Sequence, residues 1–310
     1  MTRALLLFLL LGTQSLPAQT PRRTVAITID DLPTVSVLEQ TEAGRQRLTT
    51  ALLASLRQNR VPAIGFVNEN KLGPRGVPIA SRVDLMRQWL AAGLELGNHT
   101  WSHLSLHQST LTQYEAEIVL GDSVLRTVMP PPGPRYFRHP FLHAGRDSLV
   151  RDSLQEFLAA HHYIIAPVTI DNADYIFAAA YDRKLASGDS VAADSIASSY
   201  LRYTDSVFAY YERQSIATLG REPAQIFLMH ANAMNARYFG GLAVVMRRRG
   251  YRFITLDEAL KDPAYQHPDR WYGNGGISWI QRWALTDGKK GAFFAGEPEV
   301  PAWIERASRP

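Results

Sequence analysis

The sequence contains no cysteine, so no disulfide can restrain the unfolded chain and no lipid-bearing cysteine can anchor it. It lacks a long hydrophobic run: a membrane span needs about 20 consecutive apolar residues, and nothing downstream of the N-terminus comes close. It lacks an excess of charge of one sign. Against 33 basic residues stand 29 acidic ones, a net of +4, mixed along the chain, which leaves neither a nucleic-acid stripe nor a polybasic membrane patch. It also lacks internal repeats, low-complexity linkers and a glycine-rich phosphate loop.

What is present begins with a leader. Met1-Thr2-Arg3, the apolar residues 4–11 and the small-polar residues 12–20 have the three parts of a secretory signal peptide, with cleavage expected between Ala18 and Pro21. The expectation is an exported protein, periplasmic or secreted, with no membrane anchor after cleavage and no evident protein partner. An exported chain without disulfides must be held by its core. Some 290 mature residues can bury roughly three quarters of their unfolded surface, and a chain that is 46% hydrophobic and 10% aromatic can fill that core.

Short β-branched or apolar runs at 24–29, 62–67, 94–98, 135–138, 163–168, 225–229 and 251–254 predict seven strands. Helical periodicity at 47–57, 82–91, 112–128, 148–160 and 242–249 falls between them. Residues 191–219 place Ile196, Tyr200, Tyr203, Val207 and Tyr210 on one stripe and predict a long helix packed on the sheet. The alternation is βα with parallel strands. The expected fold is therefore α/β, a distorted (β/α) barrel of about seven parallel strands in a single domain. The proposed divisions are a leader over 1–20, a catalytic domain over 21–262 and an aromatic-rich tail over 263–310. That tail, with Trp271, Tyr272, Trp279 and Trp283, either packs on the barrel or lines an edge of the substrate groove.

Each polar cluster follows a proposed strand, at the end where barrel enzymes assemble their sites. Asp30 and Asp31 follow the first, His99 and His103 the third, Arg138 to Phe141 the fourth, Asp171 and Asp174 the fifth, and His230 the sixth. Two adjacent carboxylates call for a cation nearby. One Asp with two His four residues apart makes a three-ligand site with open positions, the arrangement of a catalytic metal. Taken singly, Asp30-Asp31 also reads as a turn or helix-cap pair, Arg138 as a surface ion-pair residue, and His230 as a hydrogen-bonded core histidine. Their common placement favours the functional reading.

The segments Thr28-Ile29-Asp30-Asp31, His99-x-x-x-His103, Arg138-x-Pro140-Phe141, Asp171-x-x-Asp174-Tyr175 and Leu228-Met229-His230 resemble, in order and spacing, the five motifs of the polysaccharide deacetylases, the NodB-homology or carbohydrate esterase family four enzymes. The resemblance spans roughly residues 21–260. It implies a distorted (β/α) barrel and metal-dependent hydrolysis of acetyl groups on sugars, the activity of a hydrolase on carbon–nitrogen bonds other than peptide bonds. It further implies Asp31, His99 and His103 as metal ligands and Asp30 as general base, with Arg138 paired to Asp30. His230 would be the general acid, Asp174 its orienting partner, and Phe141 and Tyr175 would meet the substrate and its oxyanion. The metal expected is divalent, zinc first, with cobalt, nickel or iron compatible with the same donors. Ile29, Phe141 and Tyr175 stand where the family usually has an aromatic residue, Tyr and Trp, which alters the walls of the acetyl and sugar subsites.

His107, His143 and Asp171 are candidates for a supporting shell. His107 also reads as a solvated or capping residue, and His143 as one that reaches a substrate hydroxyl. His161 and His162 read as helix-end residues. The leading expectation is a deacetylase of N-acetylated glycans such as chitin-like or peptidoglycan chains. The alternatives are a metal-dependent amidohydrolase of a non-sugar amide and a carbohydrate-binding protein on a retired enzyme scaffold. Exposed aromatics flanking an open groove would favour the glycan, and a closed charged pocket the small amide.

Overall fold

The computed structural model describes residues 23–38, 40–133 and 135–309; the expected leader over 1–20 lies outside them. Seven strands form one parallel sheet: β1 Arg23–Leu32, β2 Ala63–Val67, β3 Glu95–Asn98, β4 Tyr136–Phe137, β5 Ile164–Ile165, β6 Gln225–His230 and β7 Tyr251–Ile254. The order is β5-β4-β3-β2-β1-β6, with β7 on β1. β6 runs along β1 from Val25 to Asp30. β7 takes Arg23 to Ala26 and β2 takes Ile27 to Leu32, so these two share the other edge of β1 in succession.

The fifth strand is shorter than the expected 163–168, because its chain changes partner. Ala166 donates its N–H to Phe137 O at 2.8 Å, whereas Ile170 donates to Ile226 O at 3.0 Å. Between them Pro167 has no N–H to give. One kinked segment thus touches both β4 and β6 and curls the sheet into a distorted, nearly closed barrel.

The helices are α1 Glu42–Gln58, α2 Ala80–Ala91, α3 Leu111–Leu120, α4 Leu125–Val128, α5 Ser148–Ala160, α6 Asp174–Ala186, α7 Ser190–Leu219, α8 Ala233–Arg248, α9 Leu256–Leu260, α10 Trp279–Thr286 and α11 Ala302–Ser308. The single helix expected over 112–128 is two. It stops at Gly121, whose backbone lies so close to the Thr100 main chain that an added Cβ would stand 2.6 Å from it. α8 begins well before the expected 242, at the Asn232 cap whose side chain accepts from the Asn235 N–H. α7 is the expected long helix, with Ile196, Tyr200, Val207 and Tyr210 buried and Tyr203 partly so. The segment beyond Lys261 packs on the barrel through Ile280 and Trp283, both buried.

Central strands covered on both faces read as continuous apolar runs, and β1 does so. Val25, Ile27 and Ile29 join the cluster under the helices. Ala26 joins Ile64, Phe66, Tyr136, Ile226 and Ile254, drawn from four other strands, inside the barrel. On that inner face β1 passes from Ala26 through Thr28 to Asp30, apolar at one end and carboxylate at the other.

Candidate active site

In a regular strand, neighbouring side chains point to opposite faces, so Asp30 and Asp31 should not serve one site. The register of β1 against β2 shifts between Ile29 and Leu32, and Asp31 adopts a left-handed φ of 71°. This irregularity turns both carboxylates into one cleft, as bulges beside active sites do. Thr100, His103, Phe141 and Leu142 also have positive φ. Such conformations cost on the order of 1–3 kcal/mol each; here they gather in the loops after β1, β3 and β4.

One carboxylate oxygen of Asp31 and one ring nitrogen each of His99 and His103 lie within 4.8 Å of one another. His99 Nδ1 is 2.8 Å from Arg138 O, a contact that puts the proton on Nδ1 and leaves Nε2 to face the cluster. Burial pushes the His99 and His103 pKa values down, so both rings are neutral, the form that binds a metal. Burial raises the proton affinity of Asp31, but Lys71, His103, His230 and His99 overcome it and hold the carboxyl well below the ordinary range. The set of two neutral imidazoles and one carboxylate fits a divalent cation.

Asp30 is 3% exposed and is pushed up to about 6 by burial, against the pull of Arg138 and His230. The Arg138 guanidinium is wholly buried, lies over the Phe66 ring at 4.9 Å and donates from Nη2 to Thr28 Oγ1 at 2.7 Å. Its Nε stands 3.9 Å from Asp30 Oδ1: a charge neighbour rather than a closed hydrogen bond.

His230 Nδ1 lies 2.6 Å from Asp174 Oδ1. The other oxygen of Asp174 accepts from the His230 N–H, Asn232 Nδ2 and Asn235 Nδ2 at 2.9, 3.0 and 2.6 Å. Burial lowers the His230 pKa, but the charge and hydrogen bond of Asp174 prevail and carry it to about 10. Asp171 borders the same cleft, where burial pushes its carboxyl up to about 7.

The cleft holds about 520 Å³ and is bordered by Asp30, Asp31, His99, His103, His230 and the apolar rim. On that rim stand Phe141 and Tyr175, 54% and 59% exposed. Phe141 meets the His103 ring edge-on at 4.4 Å, and Tyr175 lies 6.1 Å from the His230 ring. His143 borders the cleft, held by Ser105 Oγ at 2.9 Å from its Nδ1. His107 is not solvated. It is buried, stacks on His143 at 3.9 Å, accepts from the Gly145 N–H and faces Asn274 O at 3.3 Å. The tail does line one edge: Gly276 presses so closely on the Phe141 carbonyl that a Cβ there would stand 1.7 Å from it. His161 caps the C-terminus of α5, and His162 follows it with φ 62°, both as expected for a helix end.

Residues 18–157 match the sequence profile described as polysaccharide deacetylase. That segment, a little under half of the chain, is what places it with the polysaccharide deacetylases. Two curated relatives are chitooligosaccharide deacetylases. That of a Bradyrhizobium species is 30% identical over 47% of this chain and 58% of its own length. That of Sinorhizobium fredii is 29% identical over 38% and 52%. The chain thus spans about half the length of the curated relatives it matches. Among solved structures, the chitin deacetylase of Colletotrichum lindemuthianum superposes with a TM-score of 0.53 at 22% identity, covering 80% of this chain and 90% of that one, which supports the barrel fold. The profile match ends at residue 157, so Asp171, Asp174 and His230 join the site on geometry.

Sequence reasoning missed Asn232 and Asn235, which crowd donors around Asp174, and Glu117, whose carboxylate accepts from the Ser102 N–H and Oγ at 2.7 Å each. It also missed Lys71. A signal was present: Asn68-Glu69-Asn70-Lys71 follows the second strand, at the same barrel end as every other cluster.

Proposed function

We propose that this protein is an exported, metal-dependent deacetylase that hydrolyses acetyl groups, N-acetyl first, from a glycan of the chitin or peptidoglycan kind. One observation carries the reading: a three-ligand cluster, an ionisable Asp30 and an aspartate-held His230 border a single cleft. Asp31, His99 and His103 would hold the cation, zinc by preference. A bound divalent cation lowers the pKa of water towards about 7 and polarises a carbonyl.

The chain's own residues do the rest. Asp30 takes the proton of the attacking water; with a proton affinity near pH 6 it is ionised at neutral pH yet still basic. Arg138 holds a positive charge against it inside the barrel. The Phe141 main-chain N–H is assigned to the oxyanion. An amide cannot readily expel nitrogen without a proton, and His230, kept protonated by Asp174, supplies it to the leaving amine.

The exposed rings of Phe141 and Tyr175 beside an open cleft favour a sugar face over a small charged amide. The names of the curated relatives make chitooligosaccharides the first substrate to try. Mass spectrometry of N-acetylated chitooligosaccharides and of O-acetylated xylo-oligosaccharides after incubation with zinc-loaded protein tests the assignment. Loss of mass in steps of one acetyl group from the first set supports it. No loss from either set, with zinc bound, would move the reading to a non-sugar amide. Export is tested by fusing residues 1–30 to a reporter and following whether it leaves the cytoplasm; a reporter that stays inside would remove export from the reading.

A further inference from the structure

The loop after β2 supplies no candidate ligand, yet it touches both loops that do. Asn68 donates from its main-chain N–H to Leu32 O at 3.3 Å and from Nδ2 to His99 O at 2.7 Å. Asn70 donates its N–H to Trp101 O at 2.9 Å, between the two histidines. Lys71 Nζ donates to Asp31 O at 3.0 Å and stands 3.5 Å from Asp31 Oδ1. Glu69, buried, fixes the loop from behind by accepting from the Val124 and Leu125 N–H groups at 2.8 and 2.7 Å and from Ser123 Oγ at 2.8 Å. The Lys71 carbonyl in turn accepts from Arg82 at 3.1 Å. Asp31 sits at a left-handed φ, so its main chain needs an external tie, and Lys71 is the side chain that provides one.

We propose that residues 68–71 form a bracket that sets the spacing of the metal ligands, with Lys71 as the positioning residue for Asp31. The inference rests on the metal-dependent reading above. It makes a prediction whose sign is informative. A cation beside a ligand repels an incoming metal ion, so if charge alone mattered, its removal would tighten metal binding. If Lys71 acts by holding Asp31 in place, its removal loosens binding, by the 10–100-fold that loss of a ligand's supporting partner typically costs.

The experiment is competition of Zn2+ alone between the chelator-stripped full chain and a chromophoric chelator, for wild type, Lys71→Met and Lys71→Arg, with the thermal midpoint of each stripped protein beside it. The expected result is at least tenfold weaker zinc binding by Lys71→Met, with most of the affinity recovered by Lys71→Arg. A merely structural lysine would lower the thermal midpoint and leave zinc affinity alone. Zinc bound by Lys71→Met as tightly as by wild type, or more tightly, overturns this inference and leaves the proposed function standing. Failure of the wild type to bind zinc overturns both. If Lys71→Met does not fold, Lys71→Gln is read in the same way.

Discussion

The two ends of the barrel treat charge in opposite ways. At the N-terminal ends of the strands, the charges are closed against one another. Arg23 meets Glu222 at 2.7 Å, Arg249 meets Glu212 at 2.6 Å and Asp205 at 2.9 Å, and Arg221 joins Asp262. At the C-terminal ends the distances open: Arg138 to Asp30 is 3.9 Å, and His99 and His103 stand 4.0 and 3.6 Å from Asp31. One end uses its ions for cohesion. The other closes His230 on Asp174 at 2.6 Å but holds Asp30 and the Asp31, His99 and His103 cluster near and unjoined, in loops with strained backbone, free to meet a cation, a water or a substrate.

The comparison is broken most severely at the ligands. His103→Ala should weaken zinc binding more than about 100-fold, beyond the cost of losing a supporting partner, and abolish turnover; unchanged metal content on elemental analysis would remove His103 from the ligand set. Next comes Asp30→Asn. It should retain zinc while turnover falls by a factor on the order of 10² or more, and wild-type-like turnover would take the base role from Asp30.

A smaller effect appears in stability against pH. His230 has a folded-state pKa raised to about 10 from an ordinary 6.5. Its contribution is therefore fully present below about pH 6.5 and is lost as pH rises towards 10. In stripped protein, urea midpoints of wild type should fall between pH 7 and 10, and those of His230→Gln should fall less. Parallel curves would mean that Asp174 does not hold the proton there. Smallest is Glu212→Gln at the opposite end, expected to cost about 1 kcal/mol in unfolding free energy and to leave kcat/KM unchanged. A fall in kcat/KM would deny the division between the two ends.

Much of this arrangement was legible in the sequence because the barrel repeats one simple pattern. Apolar runs marked all seven strands, and the polar clusters that follow them marked the cleft. What escaped was whatever depends on contact between distant segments. The shortening of the fifth strand follows from its change of partner at Pro167, and the break at Gly121 from the close approach of Thr100. The turn that brings Asp31 beside Asp30 is a register shift against β2, which no local pattern announces. Lys71 escaped although its polar cluster follows the second strand at the same barrel end as the others, because a lysine is no metal ligand and only the fold sets it against Asp31.

The most direct measurement is acetate release from N-acetylated chitooligosaccharides by zinc-loaded protein, with and without chelator, beside Asp30→Asn. The account predicts release that the chelator removes and zinc restores, and that the variant loses while keeping its metal. Release that persists with chelator, or in the metal-bearing variant, would contradict it.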